Sequence, residues 1–182
     1  LDGTLLDRAG SLSTFLAEQH RRFAERLGAT DIESWRSRFL ALDQNGHVHK
    51  SIVYPAILAE FGGDAVAAAE LLEDYRLRSC EHARGFPRMA RTLQALSGKG
   101  LKLGIVTNGE TAFQHRNIDA LGLEPLVDAI LISEAEGLRK PDAAIFFRAA
   151  ERAGARPEEC LFVGDNPEAD IFGAHGTGMK TA

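Results

Sequence analysis

LKLGIVTNG, residues 101–109, decides how this chain folds, because a short apolar run stops at a hydroxyl, an amide and a glycine. A run of this length reads as a strand buried on both faces rather than as one face of a helix. Two further runs have the same form: AILI from Ala129, and CLFVG from Cys160, which leads into Asp165. Helical stretches separate them, among them AAIFFRAAERAG at residues 143–154. Strands alternating with helices predict an α/β fold built on a parallel sheet. Right-handed crossovers then set the C-terminal strand ends along one edge, where such sheets bind ligands.

Upstream of this region the rhythm changes. Leu12, Leu16, Phe23 and Leu27 fall on one helical stripe, followed by Ile32, Trp35, Phe39 and Leu42, then Tyr54, Ile57, Leu58 and Phe61, and last Ala68, Leu71, Leu72 and Tyr75. These stripes predict four helices with no strand between them. Residues 1–8 and 85–182 are expected to form the sheet-bearing core, and residues 9–84 an inserted helical unit. Gly85–Pro87 and the segment around Ala9–Ser11 are the expected hinges.

Composition excludes several classes of protein. An apolar share of 45% and a charged share of 26% are those of an ordinary globular chain, and no apolar run approaches membrane-spanning length. A net charge of -5 with interspersed signs argues against a broad face for a nucleic acid polymer, while leaving room for a small cationic pocket. Cys80 and Cys160 form neither a dense disulfide framework nor a close metal pair, which suits a reducing compartment.

The polar residues at the strand ends carry the chemistry. Asp2 lies in LDGTLLD, Thr107 and Asn108 follow LGIV, Asp165 follows LFVG, Asp170 comes five residues later, and Lys140 precedes Pro141 at an apparent helix start. Where these ends converge, carboxylates, a hydroxyl and an ammonium suit a phosphate together with a hard divalent cation, and oxygen donors favour Mg²⁺ over softer metals. Each residue also has a plainer reading. Asp2 alone is a turn residue, Thr107, Asn108 or Asp165 alone is a helix cap, and Lys140 alone is solvated surface.

Taken together, these stretches resemble the four motifs of the haloacid dehalogenase-superfamily hydrolases, in order and across essentially the whole chain. The resemblance implies a Rossmann-like core with an inserted helical C1 cap, and the chemistry of a Mg²⁺-dependent phosphatase working through a phosphoaspartate. LDGTLLDR resembles the first motif, Asp-x-Asp-Gly-Thr, with its leading nucleophilic Asp expected immediately before Leu1. The chain is thus expected to be a fragment, and GMKTA stops where the family begins another strand. Asp2 matches the second Asp of that motif, which protonates the leaving alcohol, later activates water, and offers its backbone carbonyl to Mg²⁺. Thr107 in VTNG matches the phosphate-binding second motif, with Asn108 beside it and backbone N–H groups nearby. Lys140 in RKPD matches the third, offsetting negative charge while Pro141 starts a helix. In GDNPEAD, Asp165 matches the metal-binding Asp of the fourth motif, and Asp170 its second acidic residue, supporting the metal or its waters.

Dehalogenases lack an acid at the position of Asp2, because a departing halide needs no proton. Asp2 therefore favours a phosphomonoester of a small cytoplasmic metabolite as substrate, on a monomer or homodimer that engages no nucleic acid and no membrane. A phosphomutase keeps the same Asp and stays open as an alternative, as does a non-catalytic binding protein lacking the nucleophile. TNGETAFQ, with Gln114, is similar to members acting on nucleoside monophosphates or on acylneuraminate phosphate. The implied cap closes over the site. Its candidate substrate contacts are Arg36, Arg38, His47, His49 and Lys50, against the plainer reading of a solvated face. GHVHK lacks further nearby ligands and reads as a loop.

Overall fold

A computed structural model describes residues 1–27, 30–62 and 64–182. The chain divides into two compact units, Ala9–His82 and a second made of Leu1–Arg8 with Ala83–Ala182.

The first unit is helical: α1 (Arg8–Arg22, entering from the other unit), α2 (Ala24–Leu27), α3 (Ile32–Asp43), α4 (Lys50–Phe61) and α5 (Ala65–Arg78). The first expected stripe is broken at Phe23 into α1 and α2. Helix starts are set by side chains that accept otherwise unpaired N–H groups. Asp31 accepts from Ser34 N–H at 2.9 Å, His49 Nδ1 from Ser51 N–H at 3.2 Å, and Asp64 from Ala67 N–H at 2.8 Å. The stripes meet in a core of Phe15, Leu16, Trp35, Phe39, Val53, Tyr54, Ile57 and Leu71, all fully buried. Inside it Gln19 is satisfied on three sides, accepting from Tyr54 Oη at 2.8 Å and donating to Leu71 O at 2.9 Å and Asp74 Oδ2 at 3.0 Å. This network ties α1, α4 and α5 together and pairs both polar atoms of the buried Gln19 amide.

Four of the five candidate substrate contacts of this unit find side-chain partners within it. Arg38 makes two bonds to Glu60, each 2.6 Å, and Arg36 pairs with Glu33. His49 caps α4. Lys50 is buried rather than on a loop surface, ion-paired with Asp43 and 5.6 Å from the centre of the Tyr75 ring. Its charge is therefore matched inside the helical unit, and the expectation of a solvated or substrate-facing lysine is corrected.

The second unit carries the strands. After α6 (Met89–Ser97), strand β1 (Gly104–Thr107) leads to α7 (Thr111–Ala120), and β2 (Ala129–Ile132) to α8 (Ser133–Glu136) and α9 (Ala143–Ala153). β3 (Leu161–Phe162) is followed by a π-helical segment at Pro167–Phe172, the short α10 (Gly173–His175) and β4 (Lys180–Thr181). β1 pairs in parallel with β2 from Gly104↔Ala129 to Thr107↔Ile132, and β3 with β4 from Leu161↔Lys180 to Phe162↔Thr181. Among the described residues the ladders thus form two parallel pairs rather than one continuous sheet.

β1 and β2 are apolar on consecutive residues because both their faces are covered. Ile105 and Ile132 pack with Leu1, Leu6, Ile118 and Leu123, while their neighbours Val106 and Leu131 pack with Ile145, Phe146, Ala150 and Met179. The amino-terminal stretch is anchored to this unit, with Leu6 bridging Gly85 and Phe86 N–H donating to Leu5 O at 2.9 Å. No described helix is long and apolar enough to cross a membrane.

Candidate active site

Thr107 closes β1 and is buried, and the loop behind it is clamped to the loop before α9 by Asn108. The Asn108 side chain donates from Nδ2 to Lys140 O and accepts at Oδ1 from Lys140 N–H, both at 2.9 Å. A ring of two bonds fixes both position and orientation. Asn108, expected beside Thr107 as a phosphate contact, has its side chain engaged in holding the Lys140 backbone.

Pro141 does not start the helix. The Lys140–Pro141 peptide is cis, and Asp142 caps α9, accepting from Ala144 N–H at 2.9 Å. Lys140 Nζ donates to Asp170 Oδ1 at 2.6 Å, with both residues buried, and Asp170 Oδ2 accepts from Asn166 N–H at 3.2 Å. The carboxylate lies so close to Gly164 that a Cβ there would fall 2.4 Å from Asp170 Oδ2. Asp170, expected at the metal, has both oxygens engaged in orienting the ammonium and the loop.

Asp165 is brought to the other end of the chain. Its carboxylate abuts Gly3, where φ is +73° and a Cβ would sit 2.2 Å from Asp165 Oδ2. Glycine alone meets both demands, the left-handed backbone and the close approach. The glycine of LDGTLL thus brings the fourth-motif carboxylate against the backbone next to Asp2.

Asp2 has a partner that the sequence marked only as a hint of substrate. Gln114, buried in α7, donates from Nε2 to Asp2 Oδ2 at 3.0 Å and to Asn108 O at 3.1 Å. Two side-chain amides therefore organise the charged groups, Asn108 for Lys140 and Gln114 for Asp2. The signal available was TNGETAFQ itself, in which both amides sit at fixed distance from Thr107.

The plainer readings of these residues are taken up by others. The N-cap position of α7 is Glu110, and Asn166 caps the π-helical segment by accepting from Glu168 and Ala169 N–H. Neither Thr107, Asn108 nor Asp165 is a cap. Near α7, the N–H groups of Gly109 and Thr111 are already bonded to Ser133 Oγ at 3.0 Å and Glu134 Oε2 at 2.6 Å. Those two donors, expected to help hold an anion, are engaged within the protein. Among the described residues, no group of three or more His, Cys, Asp or Glu side chains is arranged to hold a metal. The donors that fit a hard cation are oxygens, the Asp165 carboxylate and the Asp2 carbonyl, brought near each other by the bare Cα of Gly3.

Known proteins share this arrangement of sequence and fold. The glyceraldehyde 3-phosphate phosphatase of Methanopyrus kandleri is 34% identical over 93% of this chain and 76% of its own length. The phosphoserine phosphatase of Thermus thermophilus is 31% identical over 87% of this chain and 65% of its own. Two further curated relatives, the glyceraldehyde 3-phosphate phosphatases of Methanocaldococcus jannaschii and Pyrococcus furiosus, are matched over 43% and 42% of their own length. A solved Bacillus subtilis hydrolase structure, described as bound to magnesium and as revealing interdomain movement, is 25% identical and superposes with a TM-score of 0.80 over all of this chain and 84% of that one. The family model described as haloacid dehalogenase-like hydrolase matches residues 1–178, and the chain belongs to that family.

Proposed function

We propose that the chain hydrolyses the phosphomonoester of a small metabolite, with Mg²⁺, through a phosphorylated aspartate. The observation that carries this reading is the meeting of Asp165 with Gly3, which sets a metal-binding carboxylate beside the backbone of an acid, Asp2, itself held by Gln114. A halide leaves without a proton and an alcohol does not, so an acid at Asp2 favours an ester as substrate.

The geometry supports a role for each residue. The Asp165 carboxylate and the Asp2 carbonyl would hold Mg²⁺, which supplies charge neutralisation to a phosphoryl group when bound. Lys140, oriented by Asp170, adds a second positive charge on the same strand edge. The Thr107 hydroxyl contacts a phosphoryl oxygen. Asp2 gives a proton to the departing alcohol and takes one from the water that follows. The nucleophile is assigned to the aspartate that the family's first motif sets immediately before the position of Leu1. The helical unit takes the part of the family's cap. Cys80 and Cys160 are both free, which suits a cytoplasmic setting.

The relatives named for glyceraldehyde 3-phosphate and for phosphoserine suggest short-chain phosphoesters as the first substrates to try, followed by sugar phosphates and nucleoside monophosphates. Phosphate release from this panel, with Mg²⁺ and then with chelator, tests the proposal, which expects turnover that chelator abolishes and Mg²⁺ restores. Exchange between sugar phosphate isomers without net phosphate would replace it with a mutase. Ligand binding with neither release nor exchange would replace it with a binding protein.

A further inference from the structure

Gln114 is 4% exposed and joins three parts of the strand-bearing unit. Its Nε2 carries two hydrogens, and two acceptors lie within reach, Asp2 Oδ2 at 3.0 Å and Asn108 O at 3.1 Å. Its Oε1 faces Asn117 Nδ2, one turn further along α7, at 3.5 Å. The orientation of the amide is thereby determined. Flipped, it would set a carbonyl oxygen against the Asn108 carbonyl and the Asp2 carboxyl, three acceptors with no hydrogen between them. Asp2 thus meets a donor fixed by a backbone carbonyl on one side and a buried amide on the other.

We infer that Gln114 is a positioning residue for Asp2: it fixes the rotation of the carboxyl group by engaging Oδ2 and leaves Oδ1 to exchange a proton with the substrate. The inference rests on the phosphomonoesterase reading and deepens it. As the ester P–O bond breaks, its electron pair stays on the ester oxygen. That oxygen takes the proton from Asp2 Oδ1, while the phosphoryl group passes to the aspartate nucleophile. Oδ1 recovers a proton from the water that then attacks the phosphoaspartate. The benefit grows with the basicity of the leaving group. An alkoxide needs the proton, whereas a nitrophenolate leaves nearly unaided.

This difference separates positioning from structural support. The full-length protein and its Gln114→Met variant, which keeps the length of the side chain and loses both N–H groups, are assayed on glycerol 3-phosphate and on p-nitrophenyl phosphate. The loss of kcat/KM on the alkyl ester is expected to exceed that on the aryl ester by about tenfold to a hundredfold, the scale of a misaligned catalytic group. Gln114→Asn, which retracts the amide by one methylene, is expected to shift the same ratio in the same direction, and carries the comparison if Gln114→Met does not fold. Equal losses on the two esters would overturn the inference and leave Gln114 as a support for the Asn108 loop. No loss on either would overturn it too. Failure of the unmodified protein to hydrolyse either ester is a different result, and counts against the phosphatase reading itself.

Discussion

Among the described residues, two lysine–aspartate pairs are buried, Lys140 with Asp170 in the strand-bearing unit and Lys50 with Asp43 in the helical one, and each lysine is 8% exposed. Burial and pairing alone do not distinguish them. Their surroundings do. Lys50 stands at the first turn of α4 with the Val48 carbonyl and the Tyr75 ring for company. Lys140 stands on a loop held by Asn108, whose carbonyl shares the Gln114 amide with Asp2, and Asp165 lies against Gly3. A buried ion pair is weak evidence of function by itself, since separating either partner leaves a costly charge inside. The set of acids, donors and loops around Lys140 is what supports the role proposed for it.

Truncating each lysine would break this contrast if it is mistaken. Lys140→Met is expected to lower kcat by about 10²–10³-fold, the scale of losing one preorganised electrostatic contact to a transition state. Lys50→Met, by contrast, is expected to cost about 3–5 kcal/mol of stability, because the buried Asp43 carboxylate loses the ammonium that matches its charge, with turnover per folded molecule retained. Denaturant titration and phosphate release on the same samples separate the two effects. If Lys50→Met lost turnover at unchanged stability, Lys50 would return as a substrate contact and the comparison would collapse.

A second change sharpens the comparison at the carboxylates near Lys140. Gly3→Ala places a methyl group where the Asp165 carboxylate now lies, and on a backbone with φ of +73°. The Mg²⁺ concentration for half-maximal activity is expected to rise about 10–100-fold, the range seen when support of a metal ligand is lost. An unchanged Mg²⁺ requirement would remove Asp165 from the metal site.

Much of this was legible in the chain, for definite physical reasons. Strands such as AILI stand out because a sheet covered on both faces demands apolar residues without interruption. The helical stripes stand out because one face per helix meets a common core. Leu101–Leu103 was read as strand yet lies outside it, since Asp128 reaches across to accept from Leu103 N–H at 2.9 Å and the ladder begins at Gly104. Gln19 and Asn108 were harder to read. Their partners lie 35 and 32 residues away, as Tyr54 and Lys140, and nothing local distinguishes a buried amide from an exposed one. Lys50 looked like loop surface because charge is usually solvated. Only the fold brings Asp43 within reach of it.

The smallest expected effect concerns a carboxylate that is exposed rather than buried. Thr111, bonding to Glu134 through its backbone N–H and then its side chain, holds the Glu134 carboxyl below the usual glutamate range. A folded-state value below the unfolded one means that the stabilisation is present above the unfolded value and is lost as pH falls through the folded one. Between about pH 6 and about pH 3, the unmodified protein is therefore expected to lose slightly more stability than Glu134→Gln, whose amide oxygen still accepts from Thr111 but does not titrate. Melting temperatures of both proteins at the two pH values give the difference directly. A matching acid response in both would show that this exposed bond, unlike the buried pairs, contributes nothing measurable to the stability of the strand edge.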